Sequence, residues 1–341
     1  MVEGMEERER EKLSVAEVWA YARCPYEHFW RYVARIAPPP TARGLVEQAL
    51  HQALSAYYGG QSENMVQGVG QAWQGRLEEW GYTDDTWDLL VKFATVRARV
   101  LEPFLSGRVV KRDGSRYKVP QMSNEYKRLA MDAGLPHLAA RLDERLTGAP
   151  VYTDEGYTIP DAFSDSVEIA SRNTWPVPEG VIGVDVPFKV NLTDGLTLNG
   201  MADLVTRGGG GQVGIEVHDY GPVCPPVTVV RRDLRVVAAL HASGEWARVH
   251  RVVFRHLRSG ATVSVFRLPG TGRLLTAAVA AAAGIRHRVY VPRLAAQSRE
   301  CLTCSFYGLC TDGHDVLNTL DPTLLAGIGV WTDTRPGSGP D

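Results

Sequence analysis

Long apolar runs are missing from this 341-residue sequence: nothing in it approaches the ~20 consecutive apolar side chains that a membrane-spanning helix needs. The first residues, Met1–Lys12, are rich in Glu and Arg with no apolar core behind them, so no secretory leader is expected and a cytoplasmic location is. An excess of one charge is missing too. The 37 Lys and Arg nearly balance the 39 Asp and Glu, for a formal net charge of −2. That gives no global sign of a polyanion partner, although a local basic surface would suffice for one. Cysteine is scarce and odd in number, five residues, which argues against a disulfide framework and for thiolate ligation in a reducing compartment. There are no internal repeats. The four glycines Gly208–Gly211 lack the Lys-Ser/Thr of a phosphate-binding loop and read as a flexible turn. What remains is 44% apolar and 22% charged, ordinary for a soluble globular protein with ample sequence for a buried core.

The few cysteines are placed unevenly. Cys301 and Cys304 have two residues between them and Cys310 follows after five more, a spacing that can wrap a soft metal centre. Three thiolates leave one ligand short. The candidate is Cys24, in Arg23-Cys24-Pro25-Tyr26, 277 residues earlier (301 minus 24); on its own Cys24 reads equally as a buried core cysteine. Structural zinc usually takes two short-spaced pairs, whereas a cubane iron–sulfur cluster needs only four thiolates that converge in space. A 4Fe–4S cluster on Cys24, Cys301, Cys304 and Cys310 is therefore the favoured expectation, with zinc as the alternative. Such a clasp would close residues 13–312 into one domain, between a flexible N-terminus (1–12) and a polar tail (313–341) whose end, Arg335–Asp341, reads as disordered. Cys224, in the loop Pro222–Pro226, reads as a bystander.

Along the chain, Ser14-Val-Ala-Glu17 predicts a capping box and a helix running to Cys24-Pro25, where proline forces a break. Phe29, Trp30, Tyr32 and Val33 follow as an aromatic face. A second helix is expected over Arg43–Tyr58, with Gly44 and His51 two turns apart on nearly one face; a lone histidine there is either packed or a ligand. Helical segments near 63–80, 84–106 and 122–146 read as an insertion over about 60–146. Within it, residues 107–128 hold seven basic side chains, among them Lys111, Arg112, Arg116 and Lys118, against two acidic ones. That is a solvated face or a path for a nucleic-acid backbone. A Gly/Pro-rich stretch, 147–180, connects to strands expected near 184–190, 196–206 and 213–220, a meander. A helix over 230–243 is expected to turn Leu234, Val237, Ala238 and Leu240 inward and Arg231, Arg232 and Arg235 outward. Strands near 248–257 and 261–268 and an Ala-rich helix, 272–290, complete a sheet spanning about 182–268, and the cysteine segment occupies 292–312.

Two acids stand out. Asp203 lies late in one expected strand, in Gly200-Met-Ala-Asp203, and Asp219 ends the next, in His218-Asp219-Tyr220-Gly221. Each alone is an ordinary strand-end residue. Together, two strand-borne carboxylates can hold Mg²⁺ or Mn²⁺.

The order of these pieces resembles a family: an N-terminal Cys-Pro with aromatics, a helix with Gly-x6-His, a Gly-x-x-Asp strand, an Asp-Tyr strand, then CxxCx5C. It resembles the RecB-type PD-(D/E)XK nucleases with an iron–sulfur clasp, which include the AddB nuclease domain and the CRISPR-associated exonucleases. The resemblance spans residues 14–310. It implies an α/β, restriction-endonuclease-like fold, a mixed central sheet flanked by helices with a helical insertion and an Fe–S clasp joining the chain ends. It implies His51, Asp203 and Asp219 as Mg²⁺ or Mn²⁺ ligands, completed by the Tyr220 carbonyl, with Asp185 where such proteins often carry a glutamate. The implied activity is metal-dependent cleavage of DNA, single-stranded in particular, in repair, recombination or processing, beside a helicase or another such protein. DNA contacts would come from Lys111, Arg112, Arg116, Lys118, Arg231, Arg232 and Arg235.

The sequence departs from that family at its chemistry. Two residues after the third-motif acid the family has lysine; here stands Gly221, followed by Pro222. Losing a preorganised cation typically costs ~10²–10³-fold in rate. His218 faces the other side of its strand, so Lys189, expected on the face of Asp185, is the candidate migrated lysine. The family's Gln-x-x-x-Tyr is absent as well, with Arg235 and Ala239 at the corresponding positions. The sequence therefore leaves two functions open: an active nuclease, or a pseudonuclease that binds DNA or scaffolds a partner. A zinc-stabilised protein unrelated to nucleic acid is a remoter third.

Overall fold

A six-stranded mixed sheet is built around one central strand in the computed structural model, which describes residues 12–36, 40–112, 114–115, 124–151, 153, 157–192, 196–207, 213–221, 224–243, 249, 251–267, 273–290 and 306. The strands are β1 (Lys12–Ser14), β2 (Val181–Asn191), β3 (Thr197–Arg207), β4 (Val213–Asp219), β5 (Arg251–His256) and β6 (Ala261–Phe266). Along one edge β3 pairs antiparallel with the whole of β2. Its other edge takes β1 in parallel at Thr197–Asn199 and β4 antiparallel at Leu204–Arg207. β5 joins β4 in parallel and β6 closes antiparallel. The meander is as expected. β1 corrects the sequence expectation, which ended a flexible terminus at residue 12; three residues carry no periodicity to read.

The helices follow their caps. In α1 (Val15–Arg23) the Ser14 hydroxyl accepts from the Glu17 amide at 2.9 Å, but the capping box is only half formed, because the Glu17 carboxylate turns to His28 Nε2 at 3.2 Å. Cys24 is extended (φ −156°) and ends α1; α2 (Pro25–His28) restarts on the proline and passes into a π-helical turn, Phe29–Val33. α3 (Ala42–Tyr58) is capped by Thr41, and α4 (Met65–Glu79) and α5 (Asp84–Leu105) follow. The single helix expected over 122–146 divides into α6 (Asn124–Asp132) and α7 (Leu135–Arg145) at Gly134, whose φ of +71° suits glycine. The stretch 147–180, expected to be connecting chain, contains α8 (Ile159–Arg172). Its glycines and most of its prolines lie outside the helix. Pro160 sits in the first turn, where its missing amide hydrogen costs nothing, and Thr158 and Asp161 form a reciprocal capping box. The helix expected over 230–243 is two short ones, α9 (Val227–Val230) and α10 (Leu234–Leu240), and α11 (Arg273–Arg286) is the Ala-rich helix.

Three apolar clusters organise these elements. Helices α3 to α8 bury Leu45, Leu50, Trp73, Leu90 and Phe163 together. The sheet packs on α1, α10 and α11 through Leu198, Val205, Ile215, Phe254 and Val236. The third cluster joins Phe29 and Trp30 to Phe306 and Tyr290, bringing early and late parts of the sequence together. Gly200 belongs to the second interface: a β-carbon there would overlap the Phe188 ring on β2, which explains why glycine begins Gly-x-x-Asp. Among the described residues no helix is long and apolar enough to cross a membrane.

Candidate functional site

Three elements bring acids and a histidine to the middle of the β2–β3 pair, beside the end of β4. The face of α3 carrying Gly44, Glu47 and His51 lies over the sheet, and Thr41, its N-cap, accepts from the Gly44 amide at 3.1 Å. The pairings Val184–Leu204 and Val186–Ala202 put Asp185 level with Asp203. Asp185 has a left-handed backbone (φ +51°), a conformation asparagine and aspartate tolerate better than most residues. The alternation of β2 breaks there: Val184 packs on the helical cluster, Val186 on the cluster across from it.

His51 stands between the two acids. Its Nδ1 is 3.4 Å from Asp185 Oδ1 and its Nε2 3.5 Å from Asp203 Oδ1. One donor atom from each of the three residues lies within 4.8 Å of the others, an imidazole–carboxylate set of the kind that suits a divalent cation. The second oxygen of Asp203 accepts from the His218 amide at 2.7 Å, which fixes the carboxylate to β4.

Asp219 stands outside that trio, beside an arginine and a histidine. Its carboxylate oxygens are 3.8 Å from Arg235 Nη2 and 3.8 Å from His256 Nε2. His256 is buried and its tautomer follows from its partners. Nε2 faces the Gly221 carbonyl at 2.9 Å and must donate, while Nδ1 receives the Ser259 amide at 3.3 Å and lies 2.7 Å from its hydroxyl. The Tyr220 carbonyl accepts from Arg258 Nε at 3.2 Å, and its ring lies 5.2 Å from that of His51. Burial raises the Tyr220 phenol well above its ordinary pKa, with Asp203, Glu47 and Asp185 adding to the effect, and its hydroxyl has no hydrogen-bond partner among the described residues. Glu47 is likewise raised, first by desolvation and then by Asp203 and Asp219, against the opposing pull of His51 and Arg235.

Two buried networks support the site. Behind β4, Arg255 donates to both oxygens of Glu216 (2.9 and 3.1 Å) and His218 Nε2 lies 3.3 Å from one of them. Burial alone would raise Glu216, but these hydrogen bonds outweigh it and bring its pKa down to about 2. Arg258 donates to Asp165 of α8 at 2.6 Å, and Arg97 of α5 donates to the same carboxylate at 3.0 Å. That network ties the helical insertion to the Tyr220 carbonyl.

A cleft of about 360 Å³ opens beside Asp219, lined by Glu47, Tyr220, Gly221, Arg235, Arg258 and Arg43 among others. A larger groove of about 800 Å³ lies between α4, α5 and α8, walled by Trp87, Val91 and Phe163. It holds none of Asp185, Asp203 and Asp219, so chemistry rather than volume identifies the site.

The sequence expectations fare unevenly. His51, Asp203 and Asp185 are brought together, with Asp219 and Tyr220 beside them. Lys189 is not with them: it pairs opposite Asn199, four residues or about 13 Å along the strand from Asp203. Arg235, expected outward, turns to Asp219, because α10 begins only at Leu234 and residues 231–233, between it and α9, are not helical. Arg231 and Arg232 are exposed. In the basic stretch, Arg112 is exposed and Lys111 half-buried, while Arg108 pairs with Glu102 and Arg128 with Glu125 and Asp132. Acids just outside 107–128 thus offset the charge counted within it. Arg116, Lys118, Cys301, Cys304 and Cys310 lie outside the described residues, as do the flexible N-terminus and the polar tail apart from Lys12. Cys24 is half-buried as a free thiol at the α1–α2 junction. Glu47, His256 and Arg258 were missed; Glu47 alone had a signal, since it shares the helix face of Gly44 and His51.

The model of the PD-(D/E)XK nuclease superfamily matches residues 12–220, from β1 to the residue before Gly221 and more than half of the 341-residue chain. No curated protein matches the sequence.

Proposed function

The chain belongs to the PD-(D/E)XK nuclease superfamily, and from that premise we propose that it is a RecB-type, metal-dependent nuclease that hydrolyses phosphodiester bonds of DNA, single-stranded in particular. The observation that carries this reading is the meeting of His51, Asp185 and Asp203, with donor atoms within 4.8 Å of one another. A hard divalent ion, Mg²⁺ or Mn²⁺, suits two carboxylates and an imidazole; when bound it would lower the pKa of water and offset charge on the phosphoryl oxygens. Asp203 and His51 would hold it, Asp185 would stand in for the family's glutamate, and Asp219 with the Tyr220 carbonyl would complete the site. The DNA would run over the exposed Arg231, Arg232 and Arg112 side, with Lys111, Arg116 and Lys118 as further contacts. The setting is cytoplasmic repair, recombination or DNA processing, with a helicase as the kind of partner such nucleases work beside.

The clasp is part of the proposal. Phe306, between Cys304 and Cys310 in sequence, is buried against Phe29 and Trp30, five and six residues from Cys24 (29 and 30 minus 24). The Trp30 Nε1 beside it is buried without a partner among the described residues. Both observations support a 4Fe–4S cluster on Cys24, Cys301, Cys304 and Cys310, structural in role, that holds residues 13–312 as one domain. Protein purified without oxygen should be brown with four irons per chain; colourless protein containing zinc would overturn this.

A second reading, a pseudonuclease that binds DNA or scaffolds a partner, is favoured by one observation: Gly221 in place of the motif lysine. Cleavage of single-stranded DNA with Mn²⁺ on cluster-intact protein separates the two. Cutting that vanishes in Asp203→Ala and Asp219→Ala supports the nuclease. No cutting with any divalent metal, alongside salt-sensitive DNA binding, supports the scaffold.

A further inference from the structure

Gly221 has no side chain where the family carries its lysine, yet the geometry of the position is intact. A β-carbon on Gly221 would lie 3.1 Å from Asp219 Oδ2, so a side chain there would run along the edge of the acid. A cation does reach that edge, from another element. Arg235, in the first turn of α10, brings Nη2 to 3.8 Å from Asp219 Oδ1, and its Nη1 donates to the His218 carbonyl at 3.2 Å. Asp233, the N-cap of the same helix, grips the other side of the guanidinium, accepting from Nε at 3.2 Å and from Nη2 at 2.7 Å. The Asp233 carboxylate also accepts from the Arg235 amide at 2.8 Å, so backbone and guanidinium are held by one group.

The arginine is therefore fixed, unlike a swinging surface side chain, and 38% of its side chain still opens to the cleft. An arginine has five N–H donors. Among the described residues three are committed, one to His218 and two to Asp233, which leaves two (5 minus 3), one on Nη1 and one on Nη2, the nitrogen nearest Asp219.

We propose that Arg235 is the cationic catalytic residue of this site, donating its two uncommitted N–H groups to a non-bridging oxygen of the scissile phosphate beside Asp219. The proposal rests on the nuclease reading. In the hydrolysis, a water oxygen bonds to phosphorus and a P–O ester bond breaks. One water proton stays on the new phosphate and the other passes through solvent to the leaving oxygen. Negative charge collects on the non-bridging oxygens as this happens, and a prepositioned guanidinium stabilises it with little reorganisation. Arg235 keeps its own proton throughout, because arginine does not deprotonate in proteins. Lys189 stands about 13 Å along the strand from Asp203, and His256 Nε2 is occupied by the Gly221 carbonyl.

The test uses the full, cluster-intact chain and two readouts, Mn²⁺ binding by calorimetry and cleavage of a labelled single-stranded oligonucleotide. Arg235→Gln, which can still hydrogen-bond Asp233, should cleave ~10²–10³-fold more slowly with KM little changed. It should also bind Mn²⁺ more tightly, because a cation beside Asp219 is gone. A merely structural arginine would give the opposite, weaker Mn²⁺ binding. Adding Gly221→Lys to Arg235→Gln should recover tenfold or more of the lost rate. Wild type that leaves DNA uncut overturns the nuclease reading and this assignment together. Wild-type cleavage undiminished in Arg235→Gln, weakened Mn²⁺ binding in that variant, or no recovery in a double variant that still binds Mn²⁺ overturns the assignment alone.

Discussion

The His218 amide donates to Oδ2 of Asp203 at 2.7 Å, so the strand that ends in one acid holds the carboxylate of the other. Asp203→Asn should keep this bond through its amide oxygen and melt within a few degrees of wild type. Its NH₂ would then face His51, where a cation should sit, and Mn²⁺ affinity should fall at least ~10-fold, on the scale by which lost metal-site partners act. Calorimetry with Mn²⁺ checks this. Unchanged affinity would remove Asp203 from the metal site.

Glu216 makes stability depend on acid. Its folded pKa is lowered from 4.5 to about 2. A depressed carboxylate stabilises the fold above its ordinary value and loses that contribution as pH falls through the folded one. Wild type should therefore lose stability between about pH 4.5 and pH 2, on the order of 3 kcal/mol from this group. Glu216→Gln, which leaves Arg255 without its ion pair, should be the less stable protein at pH 7, and the gap should close near pH 2. Urea unfolding across that range measures it; a pH-independent gap would sink the explanation.

Gly200→Ala tests the close packing of β2 on β3. A methyl group there would drive into the Phe188 ring, and overpacking of this kind typically costs ~1–3 kcal/mol. Thermal melting should show the loss, and Phe188→Leu in the same chain should return part of it. Gly200→Ala melting like wild type would mean that the ring moves freely.

Phe306→Ala removes the contact that seats the cysteine segment on Phe29 and Trp30. Truncating a buried phenylalanine costs ~3–5 kcal/mol. Iron per chain, assayed after anaerobic purification, should drop with it. Full iron and an unchanged melting temperature would show that Phe306 does not anchor the clasp.

The parts of the fold legible in the sequence were those with strong periodicity. The β2–β3–β4 meander and α3 through α5 appeared in place, and it was the family resemblance that named His51, Asp203 and Asp219 on them. What escaped was set by single caps and by phase. Composition over 147–180 averaged away the Thr158–Asp161 capping box, and with it α8, the helix that packs against α3, α4 and α5. Arg235 was assigned outward because a continuous helix was expected from residue 230. The non-helical step at Asp233 rotates α10, and that rotation turns the arginine toward Asp219. Asp185 reaches His51 through a left-handed residue in mid-strand, which no alternation rule anticipates. The basic window 107–128 misled because Glu102 and Asp132, on either side of it, neutralise two of its arginines.

The packing of Phe306 on Phe29 and Trp30 also sets a timetable for biosynthesis. Phe29 leaves the ribosome 277 residues before Phe306 (306 minus 29). At about 5–20 residues per second, that is roughly 15–55 s. Through this interval the aromatic patch is translated but uncovered, and β1 likewise waits for Thr197–Asn199 before it can pair. The nascent chain must keep its first apolar surface from sticking until Phe306 arrives.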